Sequence, residues 1–219
     1  PMEAQMRLLM DAAAVGEHRV FGVESLSADP LFVHLAGGIV PSLDTIYRDL
    51  RRFDEPAIIA LEEMMAAHGL RPVRAKRRPR VHMDVDTTVE PVFGEHEGAL
   101  PGYNPRYQGR PSYHPILARC AETDTVVGAK LRPGDTSFGD ADAPTVGAWL
   151  DRVRVATGPA TVILVRIDSA GDCTALMRTI AERRAYFLTK ARMTADLCTA
   201  ICRVPRGCWR TVDVDADGH

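Results

Sequence analysis

The sequence predicts an α/β fold, a mixed sheet with flanking helices, preceded by a small all-helical region. Three observations carry that reading. Residues 2–70 repeat apolar side chains at helical spacing between recognisable caps, and a basic, proline-containing stretch follows at 71–80. Beyond it the order of elements is strand, strand, strand, helix, strand, helix, strand. Size agrees, since 219 residues with 46% hydrophobic content suffice for one good-sized core and a helical appendage.

The helical region opens at 2–14, where Met6, Leu8, Leu9 and Ala13 are the apolar residues, and continues through a short loop holding Gly16 and Gly22. Ala28-Asp29-Pro30 leads into a short helix at 31–36, stopped by Gly37-Gly38. Ser42 is a good N-cap for a helix at 43–53 with Leu43, Ile46, Leu50 and Phe53 on one face. Pro56 opens the next helix, which ends at Gly69. The run RPVRAKRRPR, residues 71–80, has six basic residues in ten and reads as an exposed linker.

Residues 81–89 alternate as a strand, with Val81, Met83 and Val85 opposite His82, Asp84 and Asp86. Residues 91–111, rich in Gly, Pro and Tyr, read as a long loop, and 113–121 with 126–131 as a hairpin across 122–125. A helix at 144–155 precedes TVILVRID, residues 161–168, a nearly continuous apolar run expected of a strand covered on both faces. A helix at 173–184, a strand at 185–190 and a helix at 194–201 complete the pattern. Three strands able to form a meander, then alternating α/β elements, match a ribonuclease-H-like arrangement. The expected domains are a helical region at 1–70, the linker at 71–80, a partial ribonuclease-H-like core at 81–205, and at 206–219 the start of a truncated insertion or a disordered tail.

Composition excludes several classes. No apolar run reaches the roughly 18 residues a membrane span needs, and the opening residues lack the pattern of a secretory leader, so a cytoplasmic location is expected. The chain starts at Pro1 rather than Met, as expected of a piece of a longer reading frame. Its five cysteines, Cys120, Cys173, Cys198, Cys202 and Cys208, form no CxxC and read as reduced thiols. With a net charge of −2, a nucleic-acid binder must concentrate its basic residues locally.

Two acidic residues stand out by position. Asp86 lies near the end of the first strand and Asp168 ends the most apolar one. Carboxylates at the carboxyl ends of sheet strands point into the crevice where such folds place ligands. Two on neighbouring strands repel unless a cation lies between them, and oxygen-only ligands suit Mg²⁺ or Mn²⁺. Asp at a strand end is also an ordinary turn former, and period 2 makes Asp84 a competitor for Asp86.

DVDTTV, followed 82 residues later by the aspartate of VRIDSAG, resembles the DDE transposases of bacterial insertion sequences, in the group whose ribonuclease-H-like core carries a β-rich insertion. SYHPILARCAETDTVVGAKLRPGD resembles the family's second strand, and VPSLDTIYRDLRRF its upstream Ser-x-x-Thr-x-x-Arg run. The resemblance covers residues 25–205 and implies DNA transposition: metal-dependent cutting and joining of transposon ends, with double-stranded DNA as partner and a homodimer for the full-length protein. It picks Asp86 over Asp84, and Asp168, as catalytic metal ligands. Two departures stand against it. Ala170-Gly171-Asp172 replaces the Gly and aromatic that usually follow Asp168-Ser169, and no late helix offers the third acid, a glutamate, in the 51 residues after Asp168. Glu182 comes too early. The fragment by itself is therefore expected to be inactive, while its parent is a transposase. For DNA contact the candidates are Arg48, Arg51 and Arg52 on the 43–53 helix, and Arg74, Lys76, Arg77, Arg78 and Arg80 in the basic run. The alternatives are a non-catalytic DNA-binding remnant, or another ribonuclease-H-like nuclease completed by Asp84 or Glu90. His114, on the second strand, could assist at the metal or be an ordinary strand histidine.

Overall fold

In the computed structural model, which describes residues 2–104 and 106–209, the chain divides into two units, Pro1–Met64 and Met65–His219. In the first unit, α1 (Met2–Ala14), α2 (Val23–Leu26), α3 (Pro30–Leu35) and α4 (Leu43–Leu50) pack around Leu8, Ala12, Val23, Phe32, Ala36 and Ile46. The caps act as the sequence suggests. Asp29 accepts from the Leu31 and Phe32 N–H groups at 2.8 and 3.4 Å, and Ser42 from Thr45 N–H at 3.4 Å. Residues 20–26, expected as loop, instead form a 3₁₀ turn running into α2, because Val23 is drawn into the core.

A long helix, α5 (Glu55–Gly69), leads into the second unit. The expected linker at 71–80 is a different structure: α6 (Arg71–Ala75) occupies half of it, with Val73 and the preceding Leu70 in the core. Pro72 sits in the first turn of that helix, where its missing N–H costs nothing.

Five strands form the main sheet: β1 (Arg80–Thr87), β5 (Ile116–Cys120), β6 (Thr125–Lys130), β7 (Val162–Ile167) and β8 (Tyr186–Leu188). Their order is β6-β5-β1-β7-β8. β1, β5 and β6 pair antiparallel, while β7 joins β1, and β8 joins β7, in parallel. The parallel crossovers pass through α7 (Ala143–Thr157) and α8 (Thr174–Glu182). These helices bury Val81, Met83, Val85, Ile116, Ala118, Ile163 and Val165 beneath Trp149, Leu150, Leu176 and Ile180. Gly128 lets α7 approach, since a Cβ there would lie 2.2 Å from the Trp149 ring.

The opposite face differs from the expectation for β7. Val162 and, across the sheet, Leu117 and Val126 remain 38–40% exposed, so the sheet is covered on one face only among the described residues. The loop expected at 91–111 contains a small second sheet, in which β4 (Pro111–Tyr113) lies between β2 (Glu90–Pro91) and β3 (Leu100–Pro101). Tyr113 therefore belongs to that sheet, and β5 begins only after Pro115. The last helix, α9 (Ala195–Arg203), is capped by the Thr194 side chain at 3.2 Å. Of the segment expected at 206–219, residues 210–219 lie outside the described residues.

Candidate active site

Register brings the two aspartates together. Val85 pairs with Ile167 across the parallel β1–β7 contact, so the next residues, Asp86 and Asp168, come to the carboxyl ends of neighbouring strands. Such strands run about 4.8 Å apart. The buried alternation Val81, Met83, Val85 faces the helices, which turns Asp84 and Asp86 to the open side. Asp86 and Asp168 line one concavity of about 820 Å³ with Asp84, Arg119, Arg166 and Lys190.

Local bonds fix both carboxylates. Asp86 Oδ1 accepts from Thr87 N–H at 2.8 Å, and Asp168 Oδ1 from Ala170 N–H at 2.9 Å. The Asp168 carbonyl accepts from the Thr189 hydroxyl at 2.7 Å, tying the end of β7 to the residue after β8. Each Oδ2 is left without a hydrogen bond among the described residues.

Asp84 is engaged differently. Arg166 Nε and Nη2 donate to its two oxygens at 2.5 and 2.7 Å, and Arg119 lies 3.6 Å away. The Arg166 hydrogen bonds, aided by both guanidinium charges and opposed by partial burial, hold the Asp84 carboxyl below its ordinary range. A carboxylate clamped on both oxygens by one guanidinium is a poor metal ligand. Asp84 and Asp86 share a strand face, but only Asp86 has an oxygen to offer.

The donor set suits a hard divalent cation: two oxygen ligands on adjacent strands, with remaining positions for water. No group of three or more His, Cys, Asp or Glu side chains among the described residues is placed to hold a metal. Glu90 lies in the second sheet and Glu182 at the end of α8, and neither lines the concavity. His114 Nδ1 pairs with the Thr136 carbonyl at 2.5 Å, and its backbone N–H donates to the Arg132 carbonyl at 2.8 Å, an ordinary structural role. Cys198, Cys202 and Cys208 are exposed free thiols, Cys120 is buried and Cys173 half-buried.

Sequence reading passed over three cations of this site: Arg119, Arg166 and Lys190. Alternation alone could have found Arg166, which stands two residues before Asp168 on the same strand face. Lys190 follows β8, and no positional rule marks it.

The arginines proposed for DNA contact are distributed over both units. Arg48, on α4, and Arg52, just beyond it, approach Asp49 at 3.6 and 3.7 Å, and Arg51 is the C-cap residue between them. Arg74 lies on α6, Lys76 caps it, Arg77 and Arg78 follow, and Arg80 begins β1. No carboxylate lies within 4.0 Å of these five among the described residues.

No curated protein matches the sequence. Among solved structures, piggyBac transposase in a synaptic complex with hairpin DNA is similar over 94% of this chain and 44% of its own, at 12% identity and a TM-score of 0.50. The chain thus spans less than half of that relative and shares its ribonuclease-H-like fold. The Drosophila P element transposase strand transfer complex is similar over 85% of this chain and 40% of its own, at 9% identity and a TM-score of 0.39. The Mos1 mariner paired end complex with Mn is similar over 82% and 63%, at 10% identity and a TM-score of 0.35. The family described as Transposase DDE domain group 1 matches residues 3–214, nearly the whole sequence, and the chain belongs to that DDE transposase family.

Proposed function

We propose that the chain is part of a DNA transposase in which Asp86 and Asp168 hold a divalent ion, Mg²⁺ or Mn²⁺, for cutting and joining transposon ends. Family membership implies divalent-metal use; the ion's identity and its two protein ligands are our reading. One observation carries it: Asp86 stands beside Asp168 with an oxygen to spare, while Asp84 is closed off by Arg166. A divalent ion bound there would activate an attacking water or 3′-hydroxyl and neutralise charge at the phosphoryl oxygens.

The chain's own residues supply the surroundings. Thr87 and Ala170 N–H groups orient the carboxylates, and Thr189 steadies the Asp168 backbone. Lys190 lines the same concavity with no carboxylate within 4.0 Å among the described residues, which leaves its charge for a substrate phosphate. Arg48, Arg51, Arg52, Arg74, Lys76, Arg77, Arg78 and Arg80 grip double-stranded DNA through its backbone. A homodimer of the full-length protein and action in the cytoplasm belong to the same reading.

Mn²⁺ binding, followed by the loss of free-ion electron paramagnetic resonance signal, tests the assignment. Asp86→Ala or Asp168→Ala should weaken binding by about tenfold or more, about 1.4 kcal/mol, and Asp84→Asn should leave it nearly unchanged. Equal affinity in the unaltered chain and Asp86→Ala would sink the site. With two converging carboxylates and no third among the described residues, strand cleavage by this chain should fall short of a three-carboxylate site by on the order of a thousandfold. Clear Mn²⁺-supported plasmid nicking, abolished by Asp86→Ala, would show that another carboxylate completes the site. Complete inactivity with retained DNA binding would favour the second reading, a DNA-binding protein without chemistry.

A further inference from the structure

We infer that the cleft at the amino-terminal ends of β1 and β7 is a phosphate dock for flanking DNA, at the opposite pole of the sheet from Asp86 and Asp168. The inference rests on the DNA reading above and deepens it, by giving three of those arginines one built cleft and one segment of the DNA. The cleft, about 740 Å³, is lined by Arg74, Arg77 and Arg78 on one side and by the turn 157–161 between α7 and β7 on the other. No acidic side chain among the described residues lines it.

The lack of a neighbouring carboxylate sets these arginines apart. Arg119, Arg132, Arg166 and Arg183 of the same unit each lie against an aspartate. Arg74, Arg77 and Arg78 have no such neighbour within 4.0 Å among the described residues. Arg78 spends Nη2 on the Glu122 carbonyl at 3.4 Å, while its buried Nε has no hydrogen-bond partner among the described residues. Three like charges around one cleft repel one another, and a bound anion removes that cost.

The cleft is also built beforehand. Val73 anchors α6 in the core, so Arg74 projects from a fixed helix. The Thr161 hydroxyl donates to the Arg78 carbonyl at 3.1 Å, joining the two walls. The carboxyl end of a helix repels anions, but here the Val153, Arg154 and Thr157 carbonyls of α7 accept from the Thr157 hydroxyl at 2.9 Å, Gly158 N–H at 2.8 Å and the Thr161 hydroxyl at 3.1 Å, and the turn beyond is bonded too. Arg154 Nη1 donates to the carbonyls of Gly158 at 3.4 Å and Thr161 at 2.5 Å. Planar guanidinium groups suit the paired oxygens of a phosphodiester.

Distance assigns the dock to flanking DNA. The six residue steps from Arg80 to Asp86 span about 20 Å of strand. At about 3.4 Å per base pair, a duplex running along the strands would place some six base pairs between the two contacts. The phosphate held here is therefore not the one that reacts.

The test is fluorescence anisotropy of a labelled duplex of about 25 base pairs with the full chain, titrated over a range of salt. Arg74→Ala/Arg77→Ala, both exposed, should lower affinity about tenfold or more and flatten the log–log salt slope by about 1. Arg74→Glu/Arg77→Glu should lower it further, and Arg74→Lys/Arg77→Lys should keep the slope. Thermal melts serve as the folding check. Unchanged affinity and slope in both the Ala and Glu variants, with binding intact in the parent chain, would overturn the dock and leave the DNA reading standing. No binding by the parent chain would overturn both. Displacement of the DNA by polyglutamate, with none by an equal concentration of pyrophosphate, would assign the cleft to an acidic peptide and overturn the phosphate dock.

Discussion

Asp84 and Asp86 show how much a single residue's surroundings decide. Both sit on one face of β1, and nothing in their immediate sequence says which of them is free. The resemblance to a family picked Asp86; the physical reason is Arg166, 82 positions from Asp84 in the chain and beside it across the β1–β7 pair. Such a partner becomes visible only when strand order and register are known. The same pair gives a pH prediction. Because Arg166 holds Asp84 below its ordinary pKa of 3.8, the stabilisation is present above that value and is lost as pH falls through the lower folded one. Half-exposed and screened, it amounts to on the order of 1 kcal/mol. Asp84→Asn should lower the urea midpoint at neutral pH and flatten the decline in stability below about pH 4. A variant whose acid limb parallels that of the parent would rule this out.

At the scale of elements, the helices announced themselves through caps and apolar spacing, and the strands through alternation. The misreadings share a cause. Residues 71–80 look like a linker because charge and proline dominate, yet two apolar residues, Leu70 and Val73, suffice to pull α6 onto the core. TVILV looks buried on both sides because a continuous apolar run is silent about which neighbours exist; α7 and α8 cover one face of the sheet, and Val162 stays 38% exposed on the other. Close packing is equally invisible in a one-dimensional pattern. Gly128 reads as an ordinary glycine within a strand, but Trp149 occupies the space a side chain would need. Gly128→Ala should cost about 1–3 kcal/mol in urea unfolding through overpacking. Gly139→Ala, where nothing lies within 4 Å of the added carbon, should cost far less. Equal costs would show that α7 yields readily.

Across the molecule, the larger unit presents a sheet with one finished face. Leu117, Val126, Tyr186 and Leu188 are 38–65% exposed on the other face, around the concavity of the aspartates. These apolar side chains flank the charged centre of that face, and exposed together in water they favour association. Leu117→Thr/Val126→Thr/Leu188→Thr should raise the concentration at which light scattering begins, with little change in unfolding midpoint, since the replaced side chains are already partly solvated. A parent chain that stays monomeric at high concentration and binds no apolar dye would refute this.

By itself the sequence determined the local structures and their order, because caps, periodicity and turn residues act within a few positions. That order was enough to indicate the fold, while the resemblance to a transposase family picked Asp86 and Asp168 as candidate metal ligands. Tertiary structure alone decided which carboxylate keeps a free oxygen, which arginines are neutralised by aspartates and which are not, and which sheet face remains open. All three depend on pairings between residues far apart in the chain, such as Asp84 with Arg166 and Arg78 with Thr161. Electrostatic and packing energies are set by distance in space, and separation along the chain carries little information about it.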